Sequence, residues 1–162
     1  GDLLPRPVDQ TELRVVPGGE SADAHGPADT PGLPWDAVEA GADHIELWGT
    51  GAASREFLYV DDAAAGILLA AERYDDPDPV NLGTDEEMPI AELVGHIAKA
   101  TGFTGELRWD ASKPDGQPRR RVDGSRARER FGFEAVTPFA TGLQATVDWY
   151  VAHREEAEAR TE

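Results

Sequence analysis

The sequence has no cysteine and no long apolar run, and each absence excludes a class of function. Without thiols there can be no disulfide framework, no thiolate zinc site and no cysteine nucleophile. A membrane-spanning helix needs roughly 20 consecutive apolar residues, and no stretch of this chain approaches that length. Residues 1–10 also lack the pattern of a signal peptide. We therefore expect no membrane partner and, by default, a cytoplasmic location.

The charge is strongly one-sided, with 32 acidic residues against 15 basic ones and a formal net charge of −17. A chain this acidic repels phosphate backbones, so we expect no nucleic-acid partner. One loop departs from this balance, because Lys113, Arg119, Arg120 and Arg121 lie close together in it. These cations predict a local positive site. For Arg120 and Arg121, pairing with surface carboxylates is an equally open interpretation.

The composition changes near residue 40. Half of the 12 prolines fall in residues 1–34, and no helical or strand period persists there for more than a few positions. We therefore predict that residues 1–36 are mostly irregular and that residues 37–153 form one ordered lobe. Residues 154–162 are predicted to be a charged tail that frays into solvent.

The ordered lobe is predicted to combine short strands with packed helices, which makes its fold class α/β. The predicted strands are 45–48, 55–60, 80–82 and 107–109. The predicted helices are 63–71, 89–101, 125–130 and 138–151. Asp61 and Asp62 are predicted to cap the first of these helices, because carboxylates accept hydrogen bonds from the free amides of a helix N-terminus.

No motif for redox, metal or nucleophilic chemistry is present. Gly49-Thr50-Gly51 superficially suggests a dinucleotide loop, but it leads into a predicted strand, whereas phosphate binding needs a helix N-terminus directly afterwards. None of the three tyrosines has a lysine four positions further on, and the four histidines lack metal-ligand spacing. We therefore predict no catalytic residue, no cofactor-binding residue and no metal ligand in this chain.

The remaining functional groups suit a planar, anionic ligand. Trp48 offers an aromatic face, and Arg55 offers a forked guanidinium that can hold a phosphate through two hydrogen bonds. The loop from Lys113 to Arg121 adds positive charge.

Four blocks of sequence carry a family resemblance. They are Trp48–Gly51, Arg55–Asp62, Asn81–Thr84 and Asp110–Arg119. In order and spacing they resemble the C-terminal half of the GDP-L-fucose synthase family, a branch of the extended short-chain NAD-dependent epimerases and dehydratases. The first three blocks occur broadly in that superfamily, while the Lys-Pro-Asp-Gly core of the fourth is more particular to the fucose synthase branch. The likeness covers about residues 40–153.

The resemblance implies the C-terminal, substrate-binding lobe of a Rossmann-type protein, without the N-terminal half that binds NADP. Members of that family are homodimers that convert GDP-4-keto-6-deoxymannose to GDP-L-fucose by epimerising two carbons and reducing the ketone with NADPH. By resemblance, Trp48, Arg55 and Asp115 match positions that contact the GDP-sugar, and Lys113 and Arg119 are further candidates. The chain alone is expected to bind no cofactor and to be inactive.

Residues 3–36 depart from the family pattern, although Gly1-Asp2 fits it, and His25 is not given the family's acid role. One hypothesis is that this segment was translated out of frame; the alternative is a genuine insertion or divergence. Two other functions also remain open. One is a different nucleotide-sugar epimerase or dehydratase that uses UDP or dTDP sugars, and the other is a non-catalytic nucleotide-sugar-binding domain.

Overall fold

The computed structural model describes residues 13–16 and 34–159. The predictions for the rest of residues 1–36, including the out-of-frame hypothesis, lie outside the described residues, as does the end of the predicted tail at 160–162.

The described residues form twelve short elements. The strands are β1 Leu13–Val16, β2 His44–Trp48, β3 Ser54–Arg55, β4 Met88–Pro89, β5 Glu106–Asp110 and β6 Arg119–Arg120. The helices are α1 Pro34–Glu39, α2 Val60–Arg73, α3 Ile90–Thr101, α4 Ser125–Phe131, α5 Phe139–Ala152 and α6 Arg154–Ala159. One sheet has the order β1-β2-β5 and the other has the order β4-β3-β6. Short strands with packed helices confirm the predicted α/β class.

The central strand β2 carries the best-buried apolar side chains. Ile45 and Leu47 are 2% and 0% exposed, whereas the side chains between and beside them are only half-buried. This alternation follows because successive side chains of a strand point to opposite faces of the sheet. Ala37 of α1 and Val94 of α3 belong to the same buried cluster, so this core lies between the first sheet and these two helices.

A second buried cluster joins α2 to α4. It consists of Ala127, Phe131 and Phe133, with apolar side chains of α2 packed against it. Gly66 makes the close approach possible, because a Cβ at this position would lie 2.8 Å from the Phe133 ring.

Glycines end two of the helices. Gly102 follows α3 with φ 73° and Gly132 follows α4 with φ 76°, and each donates its backbone N–H to carbonyls of the preceding turn. A left-handed residue is a common helix ending, and glycine adopts it without steric cost.

Two predicted strands are wrong. Of residues 55–60, only Arg55 lies in a strand, because α2 begins at Val60 and the chain between them has no ladder partner. Residues 80–82 form no strand either. Short apolar runs do not reveal whether a neighbouring strand is available for pairing, and here none lies alongside.

The predicted helix cap is also wrong. Asp61 and Asp62 lie inside the first turn of α2, and no side chain caps that helix. Asp62 is buried, with 6% exposure, and its Oδ2 accepts a hydrogen bond of 3.0 Å from the backbone N–H of Thr137. The carboxylate therefore ties the chain before α5 to the start of α2.

Both ends of the described chain are more regular than predicted. β1 lies within the segment predicted to be irregular, and it pairs antiparallel with β2. α1 also begins before residue 37. The predicted fraying tail contains α6, where Arg154 donates a hydrogen bond of 2.5 Å to Glu39.

The two faces of α2 differ sharply in burial although both are apolar. Ile67 and Leu68 are 62% and 65% exposed on the outer face, while the inner face packs on the second cluster. The described residues therefore bury only the inner face of α2.

Leu47→Ala is expected to lower the free energy of unfolding by about 2–5 kcal/mol, because it leaves a cavity in the first core. Leu68→Ala is the same chemical change on an exposed helix face and is expected to cost less than about 0.5 kcal/mol. Urea denaturation followed by far-UV circular dichroism measures both. Equal losses would contradict the described burial of α2.

Candidate functional site

Trp48 and Lys113 come together at the carboxyl ends of strands β2 and β5 in the first sheet. Trp48 ends β2 opposite Asp110, the last residue of the parallel strand β5. Asp110 accepts hydrogen bonds from the backbone N–H and the hydroxyl of Ser112, at 2.9 Å and 2.6 Å, so the chain turns directly after β5. Lys113 Nζ then lies 5.0 Å from the centroid of the Trp48 ring. This distance is within the range of a cation–π interaction.

Asp115 lies on the turn that follows β2. Its Oδ1 accepts the backbone N–H of Thr50 at 2.5 Å, and its Oδ2 accepts the Thr50 hydroxyl at 2.7 Å. Gly49 has φ +81°, and a Cβ there would come within 2.4 Å of Asp115 Oδ1. Glycine is therefore favoured at this position, because φ is positive and a side chain would have to displace the Asp115 carboxylate. These hydrogen bonds hold the pKa of Asp115 below its ordinary value of 3.8, the amide contributing more than the hydroxyl.

Arg55 contacts the same loop near its C-terminal end. Its Nη1 donates to the backbone carbonyls of Ser54 and Gln117, at 2.7 Å and 2.8 Å. The backbone N–H of Ser54 donates to the carbonyl of Pro118 at 2.9 Å. The loop of residues 111–118 is thus fixed at both ends. It brings Trp48, Lys113 and Asp115 into one neighbourhood and joins that neighbourhood to Arg55.

Arg119 is engaged in an ion pair. Its Nε and Nη2 donate to the carboxylate of Glu87, with distances of 2.8–2.9 Å. The Ser54 hydroxyl donates to the same carboxylate. These hydrogen bonds hold the pKa of Glu87 below its ordinary value, and the bond from Arg119 has a larger effect than the bond from Ser54. Much of the positive charge of Arg119 is therefore balanced within the lobe.

Arg120 and Arg121, whose pairing with carboxylates the sequence left undecided, have different surroundings. Arg121 Nη2 lies 3.5 Å from Asp85 Oδ1, so it pairs with a surface carboxylate. Arg120 is exposed and forms no ion pair with any residue in the described part of the chain. Together with Arg55, both line a cavity of about 200 Å³. The local positive site is thus smaller than the sequence predicted, because Glu87 and Asp85 compensate two of its four cations.

Glu56 binds backbone N–H groups in the two loops next to β6. Its Oε1 accepts the backbone N–H groups of Thr84 and Asp85, at 2.6 Å and 3.1 Å, and its Oε2 accepts that of Val122 at 2.9 Å. Asp85 is the one non-glycine residue with positive φ, 62°, among the described residues. One carboxylate thus fixes two loops next to β6.

A separate apolar groove lies between residues 57–60 and α5. It has a volume of about 600 Å³, and the rings of Phe57 and Phe139 meet in it with their centroids 5.8 Å apart. Over residues 34–159, no group of three or more histidine, aspartate or glutamate side chains could hold a metal ion. No described helix is both long enough and apolar enough to span a bilayer.

Three residues of this arrangement were not predicted from the sequence. Thr50, Glu87 and Gln117 each bind a predicted site residue through a contact between distant parts of the chain. The only local signal was the position of Thr50 between two glycines directly after Trp48.

Comparisons with known proteins agree with this fold. Residues 33–83 match the NAD dependent epimerase/dehydratase family. GDP-L-fucose synthase 1 of Arabidopsis thaliana is 40% identical over 116 residues, which are 72% of this chain and 36% of that protein. GDP-L-fucose synthase of Escherichia coli (strain K12) is 34% identical over 129 residues, which are 74% of this chain and 40% of that protein.

Solved structures give the same result. A GDP-L-fucose synthetase from Naegleria fowleri bound to NADP superposes with a TM-score of 0.70 at 28% identity, over 75% of this chain and 38% of that one. A dTDP-glucose 4,6-dehydratase from Bacillus anthracis, at 24% identity and a TM-score of 0.65, shows the shared fold.

The fold and the matched segment define the class: this chain shares the fold of part of the NAD-dependent epimerases and dehydratases. Within that class, the predicted resemblance to GDP-L-fucose synthases is confirmed. The chain spans 36–40% of the length of the two curated relatives.

Thr50→Val is expected to raise the pKa of Asp115 toward its ordinary value without reaching it, because the hydroxyl is lost and the amide is kept. The lowered pKa means that the contact stabilises the fold above pH 3.8 and is lost as the pH falls through the lower, folded value. A ¹³C NMR titration of the carboxyl carbons measures the shift.

Asp110 is the control for this titration, because Ser112 lowers its pKa independently of Thr50. Its pKa should be the same in both proteins. An unchanged pKa of Asp115 would show that the Thr50 hydroxyl is not its partner in solution.

Proposed function

We propose that this chain is the substrate-binding lobe of a GDP-L-fucose synthase-like enzyme and that it holds the GDP moiety of a GDP-sugar. One observation carries the proposal: the loop of residues 111–118 contacts Trp48 through Lys113 and contacts Arg55 through Gln117. An aromatic face and a guanidinium are thereby joined by one short, fixed segment.

The chemistry of these groups fits a nucleoside diphosphate. A purine base gains from stacking on an indole ring, and a guanidinium or ammonium group forms charge-assisted hydrogen bonds with phosphate oxygens. Trp48 is the candidate for the base, which would stack on the ring face opposite to Lys113, and Arg55 is the candidate for the diphosphate. Lys113 and Arg119 are additional candidates, and Asp115 is assigned to the nucleotide by the family resemblance.

The described residues do not fit a nicotinamide cofactor. Gly49 and Gly51 flank a turn that enters β3, whereas a dinucleotide loop must open a helix. The space above Gly49 is also filled by the Asp115 carboxylate. We infer that epimerisation and NADPH-dependent reduction require residues that this chain does not supply, and that its part of the reaction is to bind and orient the GDP-sugar.

The assembly proposed for the whole enzyme is a homodimer, by the same resemblance. Neither a membrane nor a nucleic acid is proposed as a partner, since the net charge of −17 opposes binding to anionic polymers and surfaces.

Isothermal titration of the chain with GDP and with UDP is expected to show binding of GDP and weaker binding of UDP. The relatives that share 34–40% identity are GDP-L-fucose synthases, which favours the guanine nucleotide. Preference for UDP would instead favour another nucleotide-sugar epimerase or dehydratase. Oxidation of NADPH by the purified chain would contradict the proposal that it lacks the redox residues.

Arg55→Lys is expected to weaken GDP binding by about 1.5–3 kcal/mol, the scale of a hydrogen bond to a charged group. Arg126→Lys is the matched control, because Arg126 Nη1 also donates to a backbone carbonyl, that of Pro79 at 3.0 Å, but lies on α4. An unchanged dissociation constant for Arg55→Lys would remove Arg55 from the site.

A further inference from the structure

Thr50 forms hydrogen bonds through both its hydroxyl and its backbone N–H. Its hydroxyl donates to Asp115 Oδ2 at 2.7 Å and accepts the backbone N–H of Ala52 at 3.3 Å. Its own backbone N–H donates to Asp115 Oδ1 at 2.5 Å. Both carboxylate oxygens of Asp115 are therefore held by one residue, which has a β-branched side chain with few accessible rotamers.

This contact adds little to either core. Thr50 and Asp115 are both exposed, and neither belongs to a buried cluster. Its effect is instead on the position of a loop, because Asp115 follows Lys113 by two residues. Fixing Asp115 against the turn after β2 restricts where Lys113 can lie relative to Trp48.

We propose that Thr50 is a positioning residue of the nucleotide site: it holds Asp115, and thereby keeps Lys113 over the Trp48 ring before the ligand arrives. The inference rests on the proposed function, since it concerns the same site. A loop ordered in advance loses less conformational entropy on binding, so the affinity for the ligand rises without any new contact to it.

The scarcity of lysine makes the position of Lys113 directly measurable. Lys99 and Lys113 are the only lysines, so selective ¹³C labelling of lysine gives two side-chain signals. The aromatic ring current of Trp48 should shift the signal of Lys113, and Trp48→Phe identifies it. Lys99 lies on α3 and serves as the internal reference.

The test compares Thr50→Val, Thr50→Ser and Asp115→Asn in the full chain. Thr50→Val keeps the shape and the amide but loses the hydroxyl, and it is expected to move the Lys113 signal toward its unshifted position and to weaken GDP binding about fivefold, the scale of one hydrogen bond. Thr50→Ser retains the hydroxyl and should restore most of the affinity. Combining Thr50→Val with Asp115→Asn should cost little more than the larger single effect, because both break one contact.

Thr101→Val is the matched control. The Thr101 hydroxyl donates to the carbonyl of Ile97 within α3, so its removal deletes a threonine hydroxyl without touching the loop. It should leave both the Lys113 signal and GDP binding unchanged. Thermal denaturation of every variant confirms that the folded lobe is being compared.

The outcomes separate this inference from the proposed function. If the unaltered chain does not bind GDP, both fail. If it binds GDP and Thr50→Val binds equally well with an unmoved Lys113 signal, the positioning role alone is wrong. If Asp115→Asn weakens binding while Thr50→Val does not, the Thr50 hydroxyl does not position the loop and the role of Thr50 is again refuted.

Discussion

The parallel pairing of β2 with β5 is the constraint on which the rest of the candidate site depends. It sets Trp48 opposite Asp110 at the carboxyl ends of the two strands, so the turns that follow the strands must lie side by side. In open α/β sheets ligands bind at the carboxyl ends of the strands, because the loops there project away from the packed layers. The buried side chains Ile45 and Leu47 anchor β2, and their burial fixes which face of the strand Trp48 occupies.

Carboxylates hold the loops of this lobe to the packed elements. Glu56, Asp62 and Asp115 each accept hydrogen bonds from backbone N–H groups of a distant segment. Backbone amides that are not paired in a helix or sheet need such acceptors. An acidic composition therefore has a structural use here, in a chain whose sheets are short and whose loops are long. Because such contacts fix the loops, the candidate site can combine the strand residues Trp48 and Arg55 with the loop residues Lys113 and Asp115.

Local patterns predicted the elements that local forces decide. The alternation around Ile45 and Leu47 predicted β2, since a strand with one buried face repeats every second residue. Residues 55–60 and 80–82 have equally apolar patterns, but a strand also requires a partner at hydrogen-bonding distance, which no local pattern specifies. Trp48 was predicted as a site residue from its residue type, because an indole ring offers an aromatic face in any fold. Thr50 was not, because a threonine hydroxyl acquires its role only from the carboxylate that the fold places beside it.

The net charge of the whole chain and the charges next to the candidate site have opposite effects on an anionic ligand. The net charge of −17 repels an anionic nucleotide as it approaches. At physiological ionic strength, however, charges more than about 8 Å apart are largely screened, so the groups in contact with the ligand decide the bound state. Lys113 and Arg120 form no ion pair with a described residue, whereas Arg119 is compensated by Glu87. In the proposed complex, the phosphates would therefore meet uncompensated cations at short range, and the acidic surface would oppose mainly the rate of association.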